Sequence, residues 1–302
     1  RKLTKGFLIF GVVTTVIGFI LFFVGIQSNG VKSLLAMSKE PVYDSRMEEL
    51  TFGKEVENLE ITLHQHALTI TDSLDDQIHI SYHPSLSAHH DLITNQNDKT
   101  LSLTDKKLSE TPFLSSGIGG ILHIASSYSR RFEEVILQVP KGRSLKGINV
   151  SANRGQTTII NASLENATLN TNGYLLRIEG SRIKNSKFKT PNIINIFDTD
   201  LTDSQLESTK NHFYVDNIKV YGKVELTSKN ELSITLTQKE SQEINLDLSS
   251  HYGPIYQLSR DESQHHPNEL SNPYKIEKTD VKGQLIARAE DYISLETTAN
   301  KP

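Results

Sequence analysis

The 302-residue chain has no cysteine and no tryptophan, and aromatic residues make up only 7% of it. Without cysteine there is no disulfide framework, no CxxC redox pair, no thiolate metal site and no cysteine nucleophile. Basic charge is also in short supply. Against 36 Asp and Glu there are 32 Lys and Arg, a net charge of -4, which excludes the concentrated basic surface that nucleic acid binding requires. Catalytic signatures are missing too. No GxSxG nucleophile elbow occurs, and SSGIGG at 115–120 lacks the lysine of a phosphate-cradling GxxxxGK[ST] loop.

The apolar residues are unevenly spread. From Gly6 to Ile26 the chain reads GFLIFGVVTTVIGFILFFVGI, 21 residues without a charge, and a hydrocarbon core of about 30 Å needs about 20 helical residues. Arg1, Lys2 and Lys5 precede the run, which places the tail in the cytoplasm and the rest of the chain outside. The run exceeds the apolar core of a cleaved signal peptide. Residues 1–26 therefore predict a cytoplasmic tail and a single transmembrane signal anchor. Within it Gly11, Gly18 and Gly25 recur every seven residues with Thr15 between the first two, a small-residue face on which a partner membrane helix can pack closely. Taking the three basic tail residues from the 32 leaves 29 positive charges against 36 negative ones, so the outer part is mildly acidic.

Residues 27–47 read as a linker, and from there on the pattern is β. Leu59, Ile61 and Leu63, Leu68 and Ile70, Ile78 and Ile80, Leu101 and Leu103, and Val135, Leu137 and Val139 alternate with polar neighbours, as half-buried strands do. Between 148 and 236 a longer period appears. One apolar mark falls at Val150, Leu169, Phe188, Leu206 and Leu226, a second at Ile159, Ile178, Ile196, Val215 and Ile234, and a third at Leu164, Ile183, Leu201 and Ile218. Gly155, Gly173, Asn192, Asn211 and Asn230 follow the first mark, and both residue types enter the left-handed backbone region cheaply. Five units of about 19 residues predict an all-β domain, a parallel β-solenoid-like repeat in which like strands stack. An evenly spaced β-sandwich is the alternative.

The opening ELTFGKEVENLEITLHQHALTITDSLDDQIHISYH, the strand and turn VILQVPKGRSLKGINVSANRG and the Gly- or Asn-cornered coils together resemble the putative-adhesin β-strand-repeat family of Gram-positive bacteria, whose domain has no assigned function. The resemblance covers about residues 48–296. It implies an elongated β-fold outside the membrane and, from the company some relatives keep, a role in responses to envelope-active antimicrobial peptides. It brings no catalytic motif.

Candidate chemistry is sparse. His64 and His66 are two apart, and His89, His90, His265 and His266 form adjacent pairs, but a closed metal site needs three or four converging ligands. No metal and no cofactor is expected, and the histidines read as surface residues. Asp198, Asp200 and Asp203 in FDTDLTD offer a carboxylate pair of the kind that hydrolyses glycosides, yet they read better as turn residues. The segment 109–131 interrupts the strands. Its apolar Phe113, Leu114, Ile118, Ile121 and Leu122 and its basic Arg130 and Arg131 make it a candidate membrane or partner loop, or a cap on the solenoid end. Residues 260–273 read as a mobile loop, 283–296 as closing strands and 297–302 as a tail. The expectation is a single-pass membrane protein with its main domain extracellular, a non-enzymatic interaction or sensing module in envelope stress response or maintenance. Its partners would be a membrane protein met through the helix and a cell-wall polymer or envelope-active peptide. The rivals are a polysaccharide-binding or polysaccharide-cleaving solenoid and a surface adhesin.

Overall fold

The computed structural model describes residues 11, 13–21, 24, 46–84, 92–105, 133–258 and 267–299. The chain divides into two compact units, residues 1–42 with 108–131 and residues 43–107 with 132–302. In the first unit residues 11, 13–21 and 24 are helical and exposed. Among the described residues no helix is long and apolar enough to cross a membrane.

The second unit is a β-solenoid. Its regular coil has three short strands. Gly147–Ala152, Gln156–Ile160 and Ser163–Glu165 make the first such coil, and Ala167–Thr171, Leu175–Glu179 and Arg182–Lys184 the next. Each strand pairs in parallel with its counterpart one coil away. The repeat marks are the register. Val150 lies beside Leu169, Leu169 beside Phe188, Phe188 beside Leu206 and Leu206 beside Leu226. On the second face Ile159, Ile178, Ile196, Val215 and Ile234 form the same kind of column. All ten side chains are at most 3% exposed, and full burial of one such aliphatic chain stabilises by about 1.5–3 kcal/mol. The third column needs one correction. Leu201 pairs with Val220, not with Ile218, because Ile218 fills the corner just before that strand.

The corners also differ from expectation. Of the five residues assigned to left-handed corners, only Gly155 has a positive φ, of 73°. The left-handed positions are Asn161, Gly180, Asp198 and Asn217 after the second strand, and Asn166, Asn185, Asp203 and Gly222 after the third. These two corners turn on a single residue, so that residue must adopt αL. The first corner is several residues long and is held by side chains instead. Asn172 Nδ2 donates to Asn153 Oδ1 at 2.8 Å and Asn211 Nδ2 to Asn192 Oδ1 at 3.1 Å. Inside the corners sit small hydroxyl residues, each satisfied within the ladder. Ser181 Oγ donates to the Glu179 carbonyl at 2.8 Å and accepts from Ala162 N at 3.1 Å, and Ser186 Oγ does the same with the Lys184 carbonyl and Ala167 N.

The stack is longer than the five units read from the repeat. Among the described residues the first and second faces each contain nine parallel strands, a span of about 38 Å at 4.8 Å per step. The third face has four among the described residues. The additional coils are stacked out of chain order. Gly283–Ala289 and Ile293–Thr298, expected to close the solenoid, lie between the coil of Lys219–Thr237 and that of Ile244–Leu258. At the other end the coil Asn58–Asp72 lies between Gly147–Ile160 and an outer coil made of Thr100–Asp105 and Glu134–Val139.

Antiparallel strands finish both ends. Ile78–Tyr82 covers Glu134–Val139, Glu48–Phe52 covers Ile78–Tyr82, and Leu92–Asn97 covers Thr100–Asp105. At the far end Tyr274–Ile276 covers Ile244–Ser250, and Asn268–Leu270 covers Ile255–Leu258. The last of these strands falls within the stretch expected to be a mobile loop. Such end strands satisfy or turn away edges that otherwise pair with other chains.

Candidate functional site

Three outward faces follow from the alternation of each strand, and they differ in chemistry. The first is polar and ion-paired, with Lys189 Nζ 2.9 Å from Glu207 and Gln205 Nε2 donating to Glu225 at 3.1 Å. The third is a charge ladder. Lys184 meets Glu165 at 2.8 Å, and Asp200 lies 3.5 Å from Lys219 and 3.9 Å from Arg182. The second face is apolar in its middle coils. Tyr174 is 59% exposed, Ile193 37% and Tyr214 38%. Ile193 lies beside Leu175 in register, and the Phe197 and Tyr214 rings are 5.7 Å apart. Arg177 spans the patch, its guanidinium 5.3 Å from the Phe197 ring centre and its Nη2 2.6 Å from Glu179, so the rings are presented in a fixed arrangement.

A groove of about 640 Å3 opens where the third face begins. Among the described residues the outer coils have no third-face strand, so Ser163–Glu165 is an edge, paired there only with Arg182–Lys184. Facing it is the turn Pro140–Leu145. Lys141 N donates to the Asp75 carbonyl at 3.1 Å, and Arg143 Nη1 to the carbonyls of Lys54 and Val56 at 3.2 and 2.7 Å, which fixes the turn. Asp72 closes part of the edge by accepting from Ser163 N at 2.7 Å and Ser163 Oγ at 3.2 Å.

Two buried carboxylates close interrupted ladders. In regular coils the backbone N–H of a first-face corner donates to the coil before it, as Asn153 N does to the Leu63 carbonyl at 2.8 Å. At the corner 64–66 the strand of the next coil outward, Thr100–Asp105, ends at Asp105, and the Asp105 carboxylate takes over. It accepts from His64 N at 2.6 Å, Gln65 N at 2.7 Å, His66 N at 3.1 Å and pairs with His66 Nδ1 at 2.9 Å. Burial pushes this carboxyl up, but the His66 ring and the three N–H groups outweigh it and hold it below the usual aspartate range. Glu240, on the short helix Gln238–Glu243, ends the third face in the same manner. Its Oε1 accepts from Val220 N at 2.7 Å, and its Oε2 meets Lys282 Nζ at 2.5 Å. Burial lowers the Lys282 ammonium, yet Glu240 and Glu243 together raise it.

Of the helix-packing residues, Gly11, Thr15 and Gly18 are described and Gly25 lies outside the described residues. Thr15 Oγ1 donates to the Gly11 carbonyl at 2.7 Å, and nothing lies within 4 Å of a Cβ built on Gly11 or Gly18. Phe113, Leu114, Ile118, Ile121, Leu122, Arg130 and Arg131 all lie outside the described residues, as do His89, His90, His265 and His266. His66 is not the surface residue expected but is 1% exposed. Its partner Asp105 is remote in sequence, and no spacing rule joins them. Asp198 and Asp203 occupy left-handed corners, while Asp200 lies on the third face. Asp203 Oδ1 accepts from Lys223 N at 2.9 Å, and Asn217 Nδ2 donates to Asp198 Oδ1. Among the described residues no three His, Asp or Glu converge as metal ligands.

Comparison with known proteins places this architecture. The Toastrack DUF4097 family model matches residues 56–296. No curated protein matches the chain. Among solved structures, one described as a putative cell adhesion protein from Clostridium sporogenes is 14% identical, with a TM-score of 0.32, covering 83% of this chain and 99% of that one. A putative adhesin from Bacteroides fragilis is 10% identical, with a TM-score of 0.32 and coverages of 84% and 98%. A putative lipid binding protein from Parabacteroides distasonis is 11% identical, with a TM-score of 0.35 and coverages of 86% and 96%.

Proposed function

The chain belongs to the Toastrack DUF4097 family, and we propose that it is a membrane-anchored, non-enzymatic interaction or sensing module acting outside the cell membrane in envelope stress response or maintenance. One observation carries the interaction role. The solenoid buries its own apolar residues inward, so the exposed Tyr174, Ile193 and Tyr214 with Leu175 and Phe197 on the second face contribute little to holding the rod together. A clustered apolar surface rimmed by polar residues is what a binding partner covers. The anchor is supported by the uncharged run 6–26 and the basic residues before it, and coupling to a partner helix by the open small-residue face of Gly11, Thr15 and Gly18. The loop residues Phe113 to Arg131 offer a second contact with membrane or partner.

Topology is tested by cysteine labelling, which has no background because the chain lacks cysteine. With a membrane-impermeant maleimide on intact cells, Asn170→Cys on the outward first face should react and Thr4→Cys in the tail should not. Labelling of Thr4→Cys alone, or recovery of the protein in the soluble fraction, sinks the proposal. A second reading, binding of cell-wall polysaccharide, is favoured by the ring faces of Tyr174 and Tyr214 beside Gln156 and Asn195, since sugars stack on aromatic rings and hydrogen-bond at their edges. Sedimentation with purified wall polymer, lost in a Tyr174→Ser, Tyr214→Ser variant, would select it.

A further inference from the structure

The groove beside Ser163–Glu165 is lined by four cationic side chains, Lys141, Arg143, Arg182 and Lys184, against two carboxylates, Asp72 and Glu165. Both carboxylates are engaged inside the wall. Asp72 holds Ser163 N and Oγ, and Glu165 holds Lys184 Nζ and Ser144 Oγ, each at 2.8 Å. Those contacts, led by the Lys184 hydrogen bond, keep the Glu165 carboxyl below its ordinary range, so it remains ionised and spends its charge on Lys184.

Lys141 and Arg182 lack comparable compensation, whereas Arg143 also interacts with the charge of Glu55. Lys141 has no ion pair among the described residues and is exposed. Arg182 is 80% exposed, and its Nε is 3.9 Å from Asp200, a carboxylate it shares with Lys219. Arg143 is held through Nη1 by two carbonyls, while its Nε and Nη2 have no hydrogen-bond acceptor and are sealed from solvent. A charge shielded from water also acts on its surroundings at lower dielectric than a surface one. Because the Pro140–Leu145 turn is fixed by backbone and side-chain bonds, the Arg143 charge stands beside the groove before any ligand arrives. Val139, Leu145 and Leu164 supply an apolar lining.

We infer that this groove is an anion-binding site for a phosphate ester, with Lys141 and Arg182 at its rim and Arg143 as the fixed charge behind it. A phosphate is favoured over a carboxylate because three cations line the groove from two elements, the Pro140–Leu145 turn and the Arg182–Lys184 strand, which suits an anion with oxygens pointing in several directions. The apolar lining would take the organic part of the ester. The site does not depend on the aromatic patch, which lies on another face of the solenoid.

The test uses the full chain in phosphatidylcholine nanodiscs. Titration calorimetry with sn-glycerol 1-phosphate reports a soluble source, and co-sedimentation with phosphatidylglycerol vesicles reports a lipid headgroup, with acetate and pure phosphatidylcholine vesicles as controls. Binding to either phosphate probe, weakened at least tenfold in a Lys141→Glu, Arg182→Glu variant and falling with added salt, supports the inference, and the responding probe identifies the source. Both substituted positions are exposed, so the variant should keep the wild-type circular dichroism. A variant that loses that spectrum is replaced by Arg182→Gln, for which a several-fold loss is expected. Failure of both phosphate probes to bind at millimolar concentration, equal binding of acetate, or unchanged binding in the folded variant overturns it.

Discussion

Asp105→Ala removes the acceptor for three backbone N–H groups and the partner of a buried histidine, at distances of 2.6 to 3.1 Å. Hydrogen bonds to a charged group contribute about 1.5–3 kcal/mol each. The four share one carboxylate and some donors can turn to water, so their sum overstates the loss. Two of them at full strength already amount to about 3–5 kcal/mol, and we expect a destabilisation of that size, or about 10 °C in Tm at roughly 2–4 °C per kcal/mol. Asp105→Asn keeps one acceptor oxygen and should lose about half as much. Because a solenoid is stabilised coil by coil, the damage should be local. Hydrogen exchange at His64, Gln65 and His66 should accelerate, while amides of the coils from 167 to 216 keep their protection. The pH dependence gives a further check. The Asp105 carboxyl is depressed in the folded state, so its contribution is present above the unfolded value of about 4 and is lost as pH falls through the folded one. Urea midpoints for wild type should therefore drop on acidification more steeply than those of Asp105→Ala. A loss below 1 kcal/mol, unchanged exchange at 64–66, or parallel acid profiles would refute the reasoning.

Phe188, 2% exposed between Leu169 and Leu206, should cost about 3–5 kcal/mol on truncation to alanine, measured by denaturant unfolding. Asn185 has a φ of 49°, so Asn185→Gly should change stability by only tenths of a kcal/mol while Asn185→Val costs about 1–2 kcal/mol; equal effects would remove the corner argument. Lys282 is raised by Glu240 and Glu243, so its contribution is present below its unfolded value of about 10.4 and disappears as pH rises through the folded one. Glu240→Gln should flatten the alkaline limb of the stability curve and speed exchange at Val220, and an unaltered alkaline limb would count against the pairing.

The inward columns were legible because each is a property of single residues at a fixed interval. Val150, Leu169, Phe188, Leu206 and Leu226 follow the interval, and their pairing is parallel and in register. The four further coils were not legible as coils. Their neighbours in space, such as Ile61 with Val150 or Leu226 with Ala287, lie far outside the interval of about 19 residues that joins the regular coils. The corners were misplaced for a related reason. Asparagine serves both as a left-handed turn residue and as a rung in a side-chain ladder, and composition does not tell Asn185 from Asn192. The candidate surfaces were less legible still. Tyr174, Ile193 and Tyr214 carry no motif, and they form a patch only because three coils stack.

Taken alone, the sequence determined that this is a β-repeat chain of about 19 residues per coil, with a charge-free apolar run ahead of it and no cysteine to stabilise it. Those features are local, since alternation and period express which side of each strand faces inward. Only the tertiary structure decided that the coils number nine among the described residues, that the last strands slot between earlier ones, and that the third face begins late enough to leave a cationic groove. Parallel stacking needs matched neighbours but not consecutive ones, so the order of assembly is set by packing and by the caps at each end, not by the order of the residues.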